Sequence, residues 1–209
     1  MRVQFALVAE GPADRALVRP LQDLCLECGA TEASGSAPDL RRLPIRVGGR
    51  AQDKLQAVVR LVPDAELYFV HRDSDSSEYD RRYREIARAV EQVHVGLRWV
   101  GVVPVRETEA WALLDENAIR TVAENPRGRM DLGLAAPSGI EQIADPKRRL
   151  RDALALASGL SGRRLTAFRR TFQSRRWTLL ERIDVNGPIR QLPAWRRLRD
   201  HLSAAIDSL

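Results

Sequence analysis

Along the first hundred residues, short apolar runs alternate with stretches of helical period. Val3 to Ala9 is apolar apart from Gln4, which suits a strand buried on both faces. The run leads into Glu10-Gly11-Pro12, after which Leu17, Leu21 and Leu24 recur at helical spacing. A helix is therefore expected to begin at Pro12 and to stop at Gly29. Leu43 to Val47 is a second strand candidate, followed by a turn at Gly48-Gly49 and a helix from Gln52 to Leu61. Leu67 to His71 is the third strand. A long helix should run from Ser77 to Val95, with Ser77 and Asp80 at cap spacing, and a fourth strand from Leu97 to Val105. Beyond about residue 107 the pattern is helical only: Asp145-Pro146 offers a cap and first position, and the segment 192–206 reads as a terminal amphipathic helix.

Strands alternating with helices imply right-handed crossovers, so the expected fold is α/β, a mostly parallel sheet of about four strands with helices on both faces. The division expected is an α/β domain over residues 1–125 and a helical region over 126–209 packed on it, with the Gly- and Pro-rich segment 125–139 as the boundary loop.

Charge sharpens that division. The 209-residue chain is 44% hydrophobic and 30% charged with a formal net charge of +6, an ordinary globular composition. Residues 1–125 carry 17 basic and 20 acidic side chains, whereas 126–209 carry 17 and 8, so the helical region is the basic one. A polyanion such as nucleic acid would be attracted to its arginine clusters, and Lys147, Arg148, Arg149 and Arg151 are the candidate phosphate contacts. Part of the clustering is composition, because Lys54 and Lys147 are the only lysines. Arg50, after Gly48-Gly49 and before a helix, is a further phosphate candidate, although a plain strand-to-helix turn uses the same residues. No apolar stretch approaches the roughly 20 residues that span a bilayer, and no signal-peptide pattern opens the chain, so a cytoplasmic protein without a membrane partner is expected. Cys25 and Cys28 form a C-x-x-C inside a helical pattern with no second pair or nearby histidine, and read as helix-packing residues. The scattered His71, His94 and His201 are assigned to no metal.

The carboxylates carry the chemistry. Glu10 ends the first strand and Asp73 the third, and in a doubly wound sheet functional groups gather at the carboxyl ends of the strands, near the point where strand order reverses. Neighbouring strands lie about 4.8 Å apart, so Glu10, Asp73 and Asp75 would converge if strands one and three are adjacent. Mg²⁺ or Mn²⁺ bound there would offset their mutual repulsion. Glu107 and Glu109 flank Thr108 and are candidates for a second metal site. Each motif also has a plainer reading: Glu10-Gly11 as a strand end with Asp14 favouring a helix dipole, Asp73 and Asp75 as turn residues, Glu107 and Glu109 as first-turn acids.

A strand followed by Glu10-Gly11-x-x-Asp14 and a helix, then some sixty residues on a strand ending Asp73-Ser74-Asp75, resembles the Toprim domain, the metal-binding phosphoryl-transfer module of primases, topoisomerases and OLD-family nucleases. The match covers roughly residues 1 to 110. The segments "VPVRETEAWALLDENAI" and "IADPKRRLRDAL" look like parts of small stand-alone Toprim-like proteins often associated with bacterial mobile-element or phage defence, which extends the resemblance to about residue 155. The resemblance implies that Glu10 is the general acid or base while Asp73 and Asp75 hold Mg²⁺, and that the chain is a metal-dependent nuclease with nucleic acid, and in some cases an ATPase, as partner. A topoisomerase or primase is disfavoured: Tyr68, Tyr79 and Tyr83 all fall in or beside the Asp-x-Asp region, and no zinc module or polymerase extension is present. The rival reading is a non-catalytic partner that uses the same fold to bind nucleic acid or an ATPase.

Overall fold

A computed structural model describes residues 1–74 and 78–209. The elements in chain order are β1 (Arg2–Val8), a 3-10 turn (Ala13–Leu17) continuing into α1 (Val18–Glu27), β2 (Glu32–Ser36), α2 (Ala51–Leu61), β3 (Leu67–His71), α3 (Tyr79–Val93) and β4 (Trp99–Val102). Helices follow: α4 (Glu109–Ala112), α5 (Glu116–Val122), α6 (Pro137–Ile140), α7 (Pro146–Ala157), α8 (Gly162–Arg170), α9 (Phe172–Glu181) and α10 (Pro193–Asp207). The four strands form one sheet in the order β2-β1-β3-β4, and every pairing is parallel. The α/β fold read from the alternation of runs is therefore present. Strand order reverses between β1 and β3, which lie side by side.

The side-chain period of two sorts the strand residues into two cores. Val3, Phe5 and Leu7 of β1, with Leu67 and Phe69 of β3, pack under α1 and the helices that follow β4. Ala6, Val8, Tyr68 and Val70 face the other way, against Leu55 and Val58 of α2 and Ile86 and Val90 of α3. Burying side chains of this size is worth about 1.5–3 kcal/mol each, so the central strands anchor both layers. The helical region is part of the larger core: Leu150, Leu179, Trp195 and Leu202 belong to the same cluster as Phe5 and Leu24. Trp111 meets Trp195 edge-on at 5.1 Å, tying α4 to α10. Among the described residues no helix is long and apolar enough to cross a membrane.

Local signals explain some element ends. Gly29, at φ 103°, stops α1 as expected, and the Ala30 N–H bonds back to Cys25 O at 3.0 Å. Asp145 caps α7 by accepting from the Arg148 N–H, with Pro146 in the first turn. Cys25 is buried and Cys28 half-buried, and both are free; burial pushes their thiols up to about 12 and about 11. Ser77, expected to cap α3, lies outside the described residues.

One strand is placed differently from the expectation. Leu43 to Val47 is not in the sheet; the second strand is Glu32–Ser36, with the sequence EASGS. It is an edge strand whose residues are at most half-buried, so its sequence carries no apolar run. Gly35 faces Phe5: a Cβ there would fall 2.1 Å from the Phe5 ring, which is itself held edge-on at 4.9 Å from Phe69. Small residues let the edge strand close over that ring.

Gly35→Ala tests this packing. In an ordinary strand the change helps by about 0.5–1 kcal/mol; here displacement of a core phenylalanine should instead cost about 1–3 kcal/mol in a urea melt. A stabilised variant would show that Phe5 does not cover Gly35.

Candidate metal centre

The switch point brings the two strand ends together. The register pairs Val8 with Val70, so Glu10 and Asp73 leave the sheet side by side. The Asp73 N–H donates to Glu10 Oε2 at 2.6 Å, and Arg72 lies 3.3 Å from Glu10 Oε1. Lys54 of α2 donates to the Glu10 carbonyl at 2.6 Å, fixing the backbone from the other side. His71, the last residue of β3, is 1% exposed; its Nδ1 accepts from the Glu10 N–H at 3.3 Å and its Nε2 lies 3.2 Å from Asp73 Oδ1. Burial of the ring is the largest influence on its pKa and pulls it down. The carboxylates of Asp73, Asp14 and Glu10 together outweigh it, so the net direction is upward.

Glu10, His71 and Asp73 each offer a ligand atom, and those atoms lie within 4.8 Å of one another. Among the described residues this is the one group of three so placed. His71 Nε2 and Asp73 Oδ1 are buried and face each other at 3.2 Å, so each is the other's nearest polar partner, and a cation entering the group would have to take the place of that contact. The residues present thus fit a metal ion. Asp75 lies outside the described residues. A lone histidine at a strand end carries no spacing signal in the sequence; what marks His71 is its burial among acids.

Beneath this group lies a second layer of charge. Asp14, 4% exposed, accepts the Gly11 N–H at 2.8 Å, so the Glu-Gly-x-x-Asp spacing folds the carboxylate back onto the turn. A Cβ on Gly11 would fall 3.0 Å from Asp14 Oδ2, and glycine leaves that space free. Arg106, at a positive φ of 71°, turns the chain after β4 and leads into Thr108 and Glu109, both fully buried. The Thr108 hydroxyl shares its proton between Asp14 Oδ1 at 3.2 Å and Glu109 Oε2 at 3.3 Å. Arg176, from α9, closes the layer: it lies 3.2 Å from Asp14 Oδ1 and 2.7 Å from Glu109 Oε1. Burial pushes the Glu109 carboxyl's pKa up, with Arg176 opposing.

The other candidates are distributed as follows. Glu109 is engaged by Arg176, and Glu107 accepts the Lys147 N–H at 3.2 Å, so both lie outside the group of three. The Lys147 ammonium is 3.9 Å from Glu109. Arg148 is exposed and 4.0 Å from Asp152; Arg149 donates to the Leu132 and Gly133 carbonyls; Arg151 sits over the Phe172 ring at 4.8 Å. Arg50 pairs with Asp53 at 3.0 Å. Comparison with family models, with curated proteins and with solved structures returns no match.

Removing Arg176 takes away the nearest cation of two buried carboxylates, leaving Glu109 only the Lys147 ammonium at 3.9 Å. Arg176→Met should therefore cost about 3–5 kcal/mol of unfolding free energy at neutral pH. Glu109 can discharge by protonation, so the deficit should shrink as pH falls, and adding Asp14→Asn and Glu109→Gln should restore part of the loss. A neutral single substitution would show that the network is not held by this guanidinium.

Proposed function

We propose that the chain is a metal-dependent nuclease built on a Toprim-like module. The observation that carries the reading is the meeting of Glu10, His71 and Asp73 at the carboxyl ends of adjacent parallel strands, at the point where strand order reverses. Glu10, Asp73 and His71 would hold the cation. The carboxylates suit Mg²⁺ or Mn²⁺, whereas the imidazole is a ligand more typical of Zn²⁺ or Fe²⁺. The metal, when bound, polarises a phosphoryl oxygen and stabilises the charge that develops on it.

The protein's own residues supply the rest. Glu10 takes or returns the proton of the attacking water or the leaving oxygen, and its carboxylate is held for that task by the Asp73 N–H and Arg72. Lys54, fixed against the Glu10 backbone, places a positive charge beside the reacting phosphate. Burial lowers its pKa, partly offset by Glu10, as expected for a cation set aside from water. The Asp14-Thr108-Glu109-Arg176 layer keeps the turn that carries Glu10 rigid.

The test has two parts. Mn²⁺ should raise the melting temperature of the wild type, since an ion that binds only the folded state stabilises it, and Asp73→Asn should abolish the rise. Glu10→Gln should retain nucleic-acid binding and lose cleavage by roughly 10²-fold or more. If the wild type gives neither a metal response nor cleavage of DNA or RNA, the reading fails and a non-catalytic binding module takes its place.

A further inference from the structure

Beside the metal group, the end of β1 opens into a cleft of about 500 Å³. Its floor is the turn from Ala9 to Pro12, and Lys54 enters from α2. The segment 38–48, whose apolar residues resemble a strand but stay out of the sheet, forms a wall. Leu43, Pro44, Ile45 and Val47 make that wall aliphatic. Ile45 is 67% exposed, and a second cavity of about 530 Å³ lies between the same loop and α2, so these side chains are not spent on the core.

The rest of the lining is cationic. Arg15, Arg41, Arg46 and Lys54 stand against two carboxylates, Asp39 and Glu10. Asp39 is shared by three arginines, with Arg41 at 3.0 Å, Arg15 at 3.3 Å and Arg42 at 3.7 Å. Arg41's hydrogen bonds hold the Asp39 carboxyl down at about 2, so it stays ionised and aligns the guanidiniums. One negative charge set against three positive leaves the cluster cationic with unused N–H donors.

An aliphatic wall beside fixed guanidiniums suits a ligand with one flat apolar face and one phosphate. A volume of this size is that of a small-molecule site and takes a single nucleotide unit, not a duplex. Unpaired bases expose a face that can lie on a side-chain surface, whereas duplex bases are already stacked and paired. We infer that the cleft binds an unpaired nucleotide of a single-stranded nucleic acid, with its phosphate on Arg41, Arg46 and Arg15 and the adjoining phosphodiester directed towards Glu10 and Asp73. This rests on the nuclease reading and specifies its substrate as single-stranded.

The experiment is fluorescence anisotropy in EDTA, with a labelled single strand and the blunt duplex of the same sequence, and with dAMP or inorganic phosphate as competitor. The single strand should bind at least roughly tenfold tighter than the duplex, and dAMP should displace it where equal phosphate does not. Arg41→Ala with Arg46→Ala should weaken single-strand binding about tenfold. Ile45→Asp should remove the advantage of dAMP over phosphate, and both variants should keep the Mn²⁺ melting shift. Equal or tighter duplex binding, or indifference to all three substitutions, overturns the inference even when metal binding and cleavage are intact. If the metal response is absent but the single-strand preference and its loss in the variants are seen, the cleft stands and the nuclease reading falls.

Discussion

Asp14 and Glu109 are carboxylates taken out of water at the end of a buried sheet, and the Arg176 guanidinium between them, 3.2 Å from one and 2.7 Å from the other, is their nearest compensating charge. Removing either charge from water costs several kcal/mol, repaid only when the partner is close and well hydrogen-bonded. Arg176 comes from α9, and Asp14 from the turn that α9 packs against. The helical region therefore completes the site chemically as well as covering the sheet. Glu10 sits four residues from Asp14, so the position of this half-buried acid depends on how well the buried ones are neutralised.

Legibility in the sequence follows burial. β1, α2 and β3 are visible because their apolar positions follow the period of the element that buries them; Leu67–His71 is buried at every position. β2 is hidden because an edge strand closing over Phe5 needs small residues, and Gly35, Ala33 and the serines give no strand signal. Leu43 to Val47 misleads for the opposite reason: its apolar residues line a cleft instead of a core. Glu10 and Asp73 can be found from strand-end position alone. Arg176 cannot, because it meets Asp14 across 162 residues and nothing local distinguishes it from Arg175 beside it.

Part of the positive charge that the basic segment supplies is taken up by the fold, while Arg148, Arg163, Arg164, Arg169 and Arg170 stay exposed. Residues 126–209 hold the basic excess, yet Arg149 serves backbone carbonyls, Arg175 lies over Phe168 and pairs with Glu124, and Arg199 pairs with Glu27. Each of these guanidiniums is engaged in holding a helix or loop. Residues 1–125 carry the acidic excess, and still they bring Arg15, Arg41, Arg46 and Lys54 to one cleft. Folding gathers like charges that the linear sequence averages away.

The two halves of the site then answer each other. Acids at the ends of β1 and β3 repel a phosphate, and a cation held between them would convert that repulsion into attraction at one spot. Arg15 and Arg41 of the cleft are tied to Asp39, not to Glu10 or Asp73, so they add positive field beside the acids without quenching them. Arg72, which does not line the cleft, bridges Glu10 at 3.3 Å and Glu85 at 3.2 Å, and its second carboxylate draws part of its charge away from Glu10. A crevice outside the carboxyl ends of parallel strands is open to a ligand because the helices that follow each strand leave in opposite directions there. In this chain one side of that crevice carries the acids and the other the arginines, with Glu10 common to both.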